Sequence, residues 1–124
     1  MTLNSVFNIP SSIEKDFFKH WCLFTRPLHR LTNSQIDLAA ALLKKRYELC
    51  KSISDQNIVD KVLFSKESRN EIMNSLGITV YHYRFLIGVL KKNKVIVENK
   101  INPKFIPNIK DDAKEFNVLL TFSL

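Results

Sequence analysis

Two glycines occur in the whole chain, and one of them, Gly77, separates two helical periods in the run "SKESRNEIMNSLGITVYHYRFLIGVLKKNKVIVENKIN", Ser65 to Asn102. A glycine placed just after apolar residues at helical spacing supplies the left-handed position on which a helix commonly ends. Ahead of it, Ser65 stands as N-cap, Glu67 falls in the first turn where it complements the helix dipole, and Ile72, Met73 and Leu76 give an apolar face. Beyond it, Thr79 caps a second helix in which Tyr83, Leu86, Ile87 and Leu90 recur at i, i+3, i+4 and i+7. Asn93, which tolerates positive φ, stops that helix. "VIV" then reads as a strand, "ENK" as a turn, and "INPKFIP" as a second strand limited by Pro103 and Pro107. Two helices hinged at a glycine, followed by a hairpin, are predicted.

Upstream, "LTNSQIDLAAALLKKRYELCKSI" is the clearest helix. Thr32 and Gln35 form a capping box, and Leu31 can staple onto Ile36. Ile36, Ala39, Ala40, Leu43, Tyr47 and Cys50 trace an apolar stripe, with Asp37, Lys44, Lys45, Glu48 and Lys51 facing away. The Lys44-Lys45-Arg46 run reads as a solvated face, with phosphate contact as the alternative. "SDQNIVDKVLF" suggests a short helix from Asp55 running into an extended "VLF".

At the N-terminus, Leu3–Ile9 is a candidate edge strand closed by Pro10. Ser11 and Glu14 form a second capping box, and Ile13, Phe17, Trp21 and Phe24 recur at helical spacing until the segment ends before "TRPLH". Near the C-terminus, "NVLLTF" is strand material needing a partner, and Leu3–Ile9 is one candidate.

A chain of 124 residues, 45% hydrophobic and 25% charged, can bury one core without staples, so one domain over residues 1–124 is expected. No apolar run approaches the roughly 18 residues of a membrane span, and the start lacks signal-peptide character. No membrane partner and a cytoplasmic setting are therefore expected. The net charge of +7 favours contact with polyanions, though solubility alone can account for such a balance. Cys22 and Cys50 stand far apart without a CxxC pair, so two ordinary buried thiols are expected and no metal.

Catalytic readings find little support. Two glycines leave no phosphate-cradling loop, and neither a nucleophile elbow nor an HExxH motif can be written. Asp111 and Asp112 adjoin in a charged connector, which reads as solvated. His20, His29 and His82 lack a partner, and His29 is most simply a hydrogen-bonder at the start of the following helix. No enzyme, no cofactor and no small-molecule substrate are expected.

The order of helix, extended stretch, helix, tight turn, helix and hairpin resembles the winged helix-turn-helix family over Thr32 to Ile106, most specifically over Ser65 to Ile96. "RNEIMNSLGITVYHYRFLIGVLKKNKVI" is similar to that family's helix, turn glycine, apolar plug, capping residue and second helix, carried here by Gly77, Ile78 and Thr79. Tyr83 and Leu86 match the inward positions, and Asn93 stands where the family usually has glycine. The resemblance implies an α+β fold: a winged-helix core over about 32–106, an N-terminal extension over 1–31, and a C-terminal strand over 116–124. It also implies double-stranded DNA as partner, with the helix from Thr79 in the major groove. Thr79, Val80, Tyr81 and Arg84 would then face base edges, with Phe85 beside them and Gly88 and Lys91 further along. Arg84 would suit guanine. Lys66, Arg69, Lys91, Lys92 and Lys94 would serve phosphates, and Asn99 and Lys100 would lie at the wing tip. Lys66 to Lys100 holds seven Lys or Arg against three acids, +4 of the +7.

The departures from that pattern point elsewhere. Base edges are read by hydrogen bonds, yet Val80, Tyr81 and Phe85 are large and apolar. Gly88 in mid-helix costs about 1 kcal/mol relative to alanine and often marks close packing against another backbone. For "YHYRF", base reading, a protein interface and core burial all stay open. "FSKESR", "LKKNKVI" and "INPKFIPN" are also similar to words in small proteins of tailed bacteriophages of gut Bacteroidetes, the crAss-like group, which implies a phage origin only. The leading expectation is a DNA-binding phage protein with a transcription, replication or packaging role, acting in the infected cell. The alternative is a virion structural protein of capsid, neck or tail, in which Phe17, Phe18, Trp21, Phe24, Tyr81 and Phe85 meet other subunits. A homodimer seamed by the aromatic N-terminal helix is also expected.

Overall fold

The computed structural model describes residues 2–10, 17–107 and 115–123. In chain order these form β1 (Thr2–Pro10), α1 (Phe17–Phe24), α2 (Arg26–His29), α3 (Asn33–Ser52), α4 (Gln56–Leu63), α5 (Lys66–Leu76), α6 (Val80–Lys92), β2 (Ile96–Val97), β3 (Lys100–Ile101), a 3-10 turn (Pro103–Phe105) and β4 (Glu115–Ser123). The described residues are thus mostly helical, with two small antiparallel sheets, an α+β arrangement in coarse terms. β1 pairs with β4 in register Leu3↔Phe122 and Phe7↔Val118, so the N-terminal segment is the partner that the C-terminal strand required. The Ser11–Glu14 capping box, Ile13 and the Asp111–Asp112 pair lie outside the described residues.

α3 is the central element, packed against α1, α4, α5 and α6. A helix enclosed by four neighbours must be apolar over a wide arc rather than along one stripe. Leu38 and Leu42 are accordingly fully buried beside Ile36, Ala39 and Leu43, whereas Ala40, Tyr47 and Cys50 of the predicted stripe are only half-buried. Gln35 Oε1 accepts the Thr32 N–H at 2.9 Å, as the capping-box spacing predicts, and Leu31 is buried with Ile36 at that end.

The expectation that Phe17 and Phe18 serve a subunit seam is corrected by their burial. They are 1% and 3% exposed, edge to face at 5.2 Å, with Phe18 also 5.8 Å from the Tyr47 ring of α3. The half-buried Trp21 donates its indole N–H to the Phe105 carbonyl at 2.7 Å, tying α1 to the 3-10 turn, and Phe24 is half-buried as well. The resulting core cluster runs from α1 through α3 and α6 to Phe105, so residues 17–31 are integral to it rather than appended.

Three local expectations also change. "VLF" is not extended: Val62 and Leu63 belong to α4, whose Val59 and Leu63, four residues apart, are fully buried. Asp55 starts that helix by accepting the Asn57 N–H at 2.9 Å. The second hairpin strand stops at Ile101, because the Asn102 side chain accepts the Lys104 N–H and Pro103 opens a 3-10 turn. "RPLH" is itself a short helix, with Pro27 in the first turn, where a missing N–H costs nothing.

Candidate functional site

The α5–α6 pair is positioned by local chemistry. Ser65 Oγ accepts the Ser68 N–H at 3.3 Å, and Ser68 Oγ donates to the Val62 carbonyl at 2.6 Å, fixing the angle between α4 and α5. Gly77 ends α5 at φ 65, which lets the Ile78 N–H reach the Met73 carbonyl at 3.1 Å. Thr79 Oγ1 then accepts the His82 N–H at 3.1 Å and starts α6 in a new direction.

At the far end, the left-handed residue is Lys94 (φ 62), not Asn93, whose φ is −89. Lys94 and Val95 donate their N–H groups to Lys91 and Leu90 carbonyls at 3.1 and 2.9 Å, and Leu90 and Val95 are both buried. The chain thus turns one residue past the position that side-chain tolerance alone suggests. Glu98 and Asn99 both have positive φ (53 and 62), the signature of a two-residue type I′ hairpin turn. Asn102 fastens the hairpin back to α6, donating from Nδ2 to the Lys94 carbonyl at 2.9 Å.

This framework sorts α6 into two faces. Tyr83, Leu86 and Leu90 are buried, with Ile87 and Val89 half-buried. The outer face carries Tyr81, Arg84, Phe85, Gly88, Lys91 and Lys92, all exposed and spaced by three and four residues. Tyr81 is 82% exposed and Phe85 64%, and Thr79, Val80 and His82 are exposed at the helix start. In the segment that follows, Lys94, Val97, Asn99 and Lys100 are exposed as well. Lys66 is exposed on α5. Arg69 differs: it is half-buried, its Nε has no hydrogen-bond partner, and its charge acts on Tyr83. Burial pushes the Tyr83 phenol above its usual range, and Arg69 partly opposes that shift.

Ion pairs lie away from this surface. Lys19 meets Asp37 at 3.6 Å, Lys45 meets Glu71, and Arg46 Nε meets Asp60 at 3.6 Å. Lys45 and Arg46 are therefore struts joining α3 to α5 and to α4 rather than a solvated face; Lys44 alone of that run is exposed. No acid among the described residues pairs with Lys66, Arg84, Lys91, Lys92, Lys94 or Lys100.

Elsewhere, a cavity of about 530 Å³ is lined by Phe18, Arg46, Tyr47, Cys50, Lys51 and Ile106 among others. Cys50 is half-buried on its wall, whereas Cys22 is buried and its thiol is pushed up to about 12 by desolvation. No cluster of three metal-ligating residues occurs among the described residues, and none of their helices is long and apolar enough to cross a membrane. Compared with known protein families, curated proteins and solved structures, the chain matches none.

Proposed function

We propose that the chain is a non-enzymatic DNA-binding protein of winged helix-turn-helix type, with α5 and α6 as the helical pair and the β2–β3 hairpin as the wing. The observation that carries this reading is a run of exposed cations, from α6 into the hairpin, that no acid among the described residues pairs with. From Val80 to Asn102 the chain holds Arg84, Lys91, Lys92, Lys94 and Lys100 against the single acid Glu98, and none of the five pairs with an acid among the described residues. Cations left exposed in a row exchange their counterions for a polyanion, which is the main driving term of nucleic-acid binding. α4 stands where the family has an extended stretch, and among the described residues the hairpin has two short strands and no third. The phage setting implied by the sequence words belongs to the same proposal, as does action in the infected cell.

A fluorescent random-sequence duplex, titrated across a salt series, tests the reading. Wild-type protein binds with sub-micromolar affinity at low salt, and the double variant Lys91→Ala/Lys92→Ala loses about two units of the log–log salt slope. Absence of binding at low salt by folded protein overturns it. One observation favours the alternative, a virion component: the exposed apolar set Val80, Tyr81 and Phe85 suits a protein seam. Self-assembly abolished by Tyr81→Glu, without nucleic-acid affinity, would decide for that alternative. Phe17 and Phe18 are not available to such a seam.

A further inference from the structure

We propose that the outer face of α6 holds unpaired nucleotides, with Tyr81 and Phe85 stacking on bases while the neighbouring cations follow the phosphates. The inference rests on the nucleic-acid reading above and narrows its ligand to single-stranded nucleic acid, alone or beside a duplex. Three observations carry it together.

First, Tyr81 and Phe85 are the most exposed large hydrophobic residues among the described ones. They lie four residues apart on one face, and neither ring packs on another described aromatic or cation. Four residues of helix advance about 6 Å. That is close to two steps of stacked bases at about 3.4 Å each, so one base fits between the two rings. Every base offers a π-face, whereas the edges in a duplex groove ask for hydrogen bonds that Phe85 cannot make.

Second, the surroundings are cationic. Arg84 directly precedes Phe85 in sequence, and Lys91 and Lys92 follow two turns along the same face, none of them paired with an acid among the described residues. A guanidinium beside aromatic rings both stacks and neutralises phosphate. A neutral protein partner explains the rings alone, whereas a nucleic acid explains the rings and the charges at once; an acidic protein partner is the outcome that the titrations below separate from it.

Third, Gly88 has no internal reason to be glycine. A Cβ built there meets nothing within 4 Å, and its φ lies outside the left-handed region. The close packing expected of it is therefore not with this chain. One turn beyond Phe85, it leaves a notch at which a sugar–phosphate backbone can approach the helix.

Anisotropy titrations of the full chain decide the matter, using labelled oligo(dT) and oligo(U) of about 16 nucleotides and a mixed-sequence duplex of the same length, at one salt concentration. The single strands are expected to bind at least about tenfold more tightly than the duplex. Tyr81→Ala and Phe85→Ala each weaken single-strand binding by roughly 5- to 150-fold, a larger factor than they cost duplex binding; Lys91→Ala/Lys92→Ala weakens both. In Tyr81→Trp, the new indole emission is quenched by oligo(dT), with wild-type Trp21, anchored on Phe105, as the background. The dT and U arms separate DNA from RNA as the source of the strand. Duplex bound as tightly as single strand, or single-strand affinity unmoved in both alanine variants, overturns the stacking proposal and leaves the DNA-binding reading standing. Failure to bind any of the three ligands overturns both, and a Tyr81-dependent self-association in its place assigns the face to protein.

Discussion

α1 and α6 each present aromatic residues that look alike in sequence, yet they have opposite fates. In α1, Phe17 and Phe18 are enclosed by Tyr47 of α3 and by the core that reaches Phe105. In α6, the inward positions are taken by Tyr83, Leu86 and Leu90, and Tyr81 and Phe85 are left outside. Burial of an aromatic here depends less on the helix that carries it than on what the rest of the chain brings to its other side. Phe17 and Phe18 of α1 hold the fold together, and Tyr81 and Phe85 of α6 are free to meet something else.

The widest separation between the two should appear in stability. Phe17→Ala removes a fully buried ring and is expected to cost about 3–5 kcal/mol, as is Phe18→Ala. Tyr81→Ala and Phe85→Ala, on the open face, should stay within about 0.5 kcal/mol of wild type. Urea midpoints at constant m-value check all four, and a loss above about 2 kcal/mol in Tyr81→Ala would show that its ring packs in solution.

Acid should weaken the α1 side through a buried histidine in the short helix that follows it. The buried His29 ring accepts the Leu31 N–H at Nδ1 (3.0 Å), so its proton is on Nε2, which donates to the Cys22 carbonyl at 2.7 Å. Burial, with Arg26 adding a smaller push, lowers its pKa from the usual 6.5, although the Cys22 bond opposes the shift. Above pH 6.5 the ring is neutral in both states and its stabilisation is complete. As pH falls below 6.5, the unfolded chain takes up a proton that the folded chain declines, and stability drops until the folded pKa is passed. His29→Ala should cost about 1–3 kcal/mol at pH 7.5, because it strands a buried N–H, and should flatten the stability profile between pH 7 and 5. An unchanged profile in that variant would place the proton uptake elsewhere.

What was legible in the sequence and what was not follows from how local the deciding physics is. The Ser65, Thr79, Asp55 and Gln35 caps and the Gly77 turn are chemistry within a few residues, and each is found where the residue types place it. "VLF" has strand-like composition, but it is helical because Val59 and Leu63 both fill the core. The consecutive Phe17 and Phe18 lie about 100° apart on the helix, so an i, i+4 stripe through Phe17 passes Phe18 by. Spacing therefore reveals Phe17 and hides Phe18, whose burial depends on Tyr47, nearly thirty residues away in sequence. At the candidate site, the exposed positions Tyr81, Arg84, Phe85 and Lys91 could be read from period alone. The unpaired state of the cations and the empty space at Gly88 could not, since both depend on where the other elements lie.

Gly88→Ala separates fold from function on α6. With nothing within 4 Å of the new methyl group, the variant should be more stable by about 1 kcal/mol, the full helix-propensity difference. If the notch admits a backbone, nucleic-acid affinity should fall in the same variant. A gain in stability without a loss of affinity would leave the glycine unexplained and the face smoother than proposed.

The smallest expected effect is at the end of α6, where fold and charge share one residue. Lys94 holds a left-handed conformation that a side chain disfavours, while Asn93 beside it does not. Lys94→Gly relieves that strain, partly offset by the greater freedom of glycine in the unfolded chain, for a net gain of about 0.5–1 kcal/mol. Asn93→Gly, at φ −89, has no strain to relieve and should lower stability instead. The pair of thermal midpoints therefore locates the left-handed residue directly. Lys94→Gly should also shrink the salt slope of nucleic-acid binding by about one unit. A more stable protein with an unchanged slope would mean that the cations in contact lie on the outer face of α6 and that the contact stops short of the hairpin.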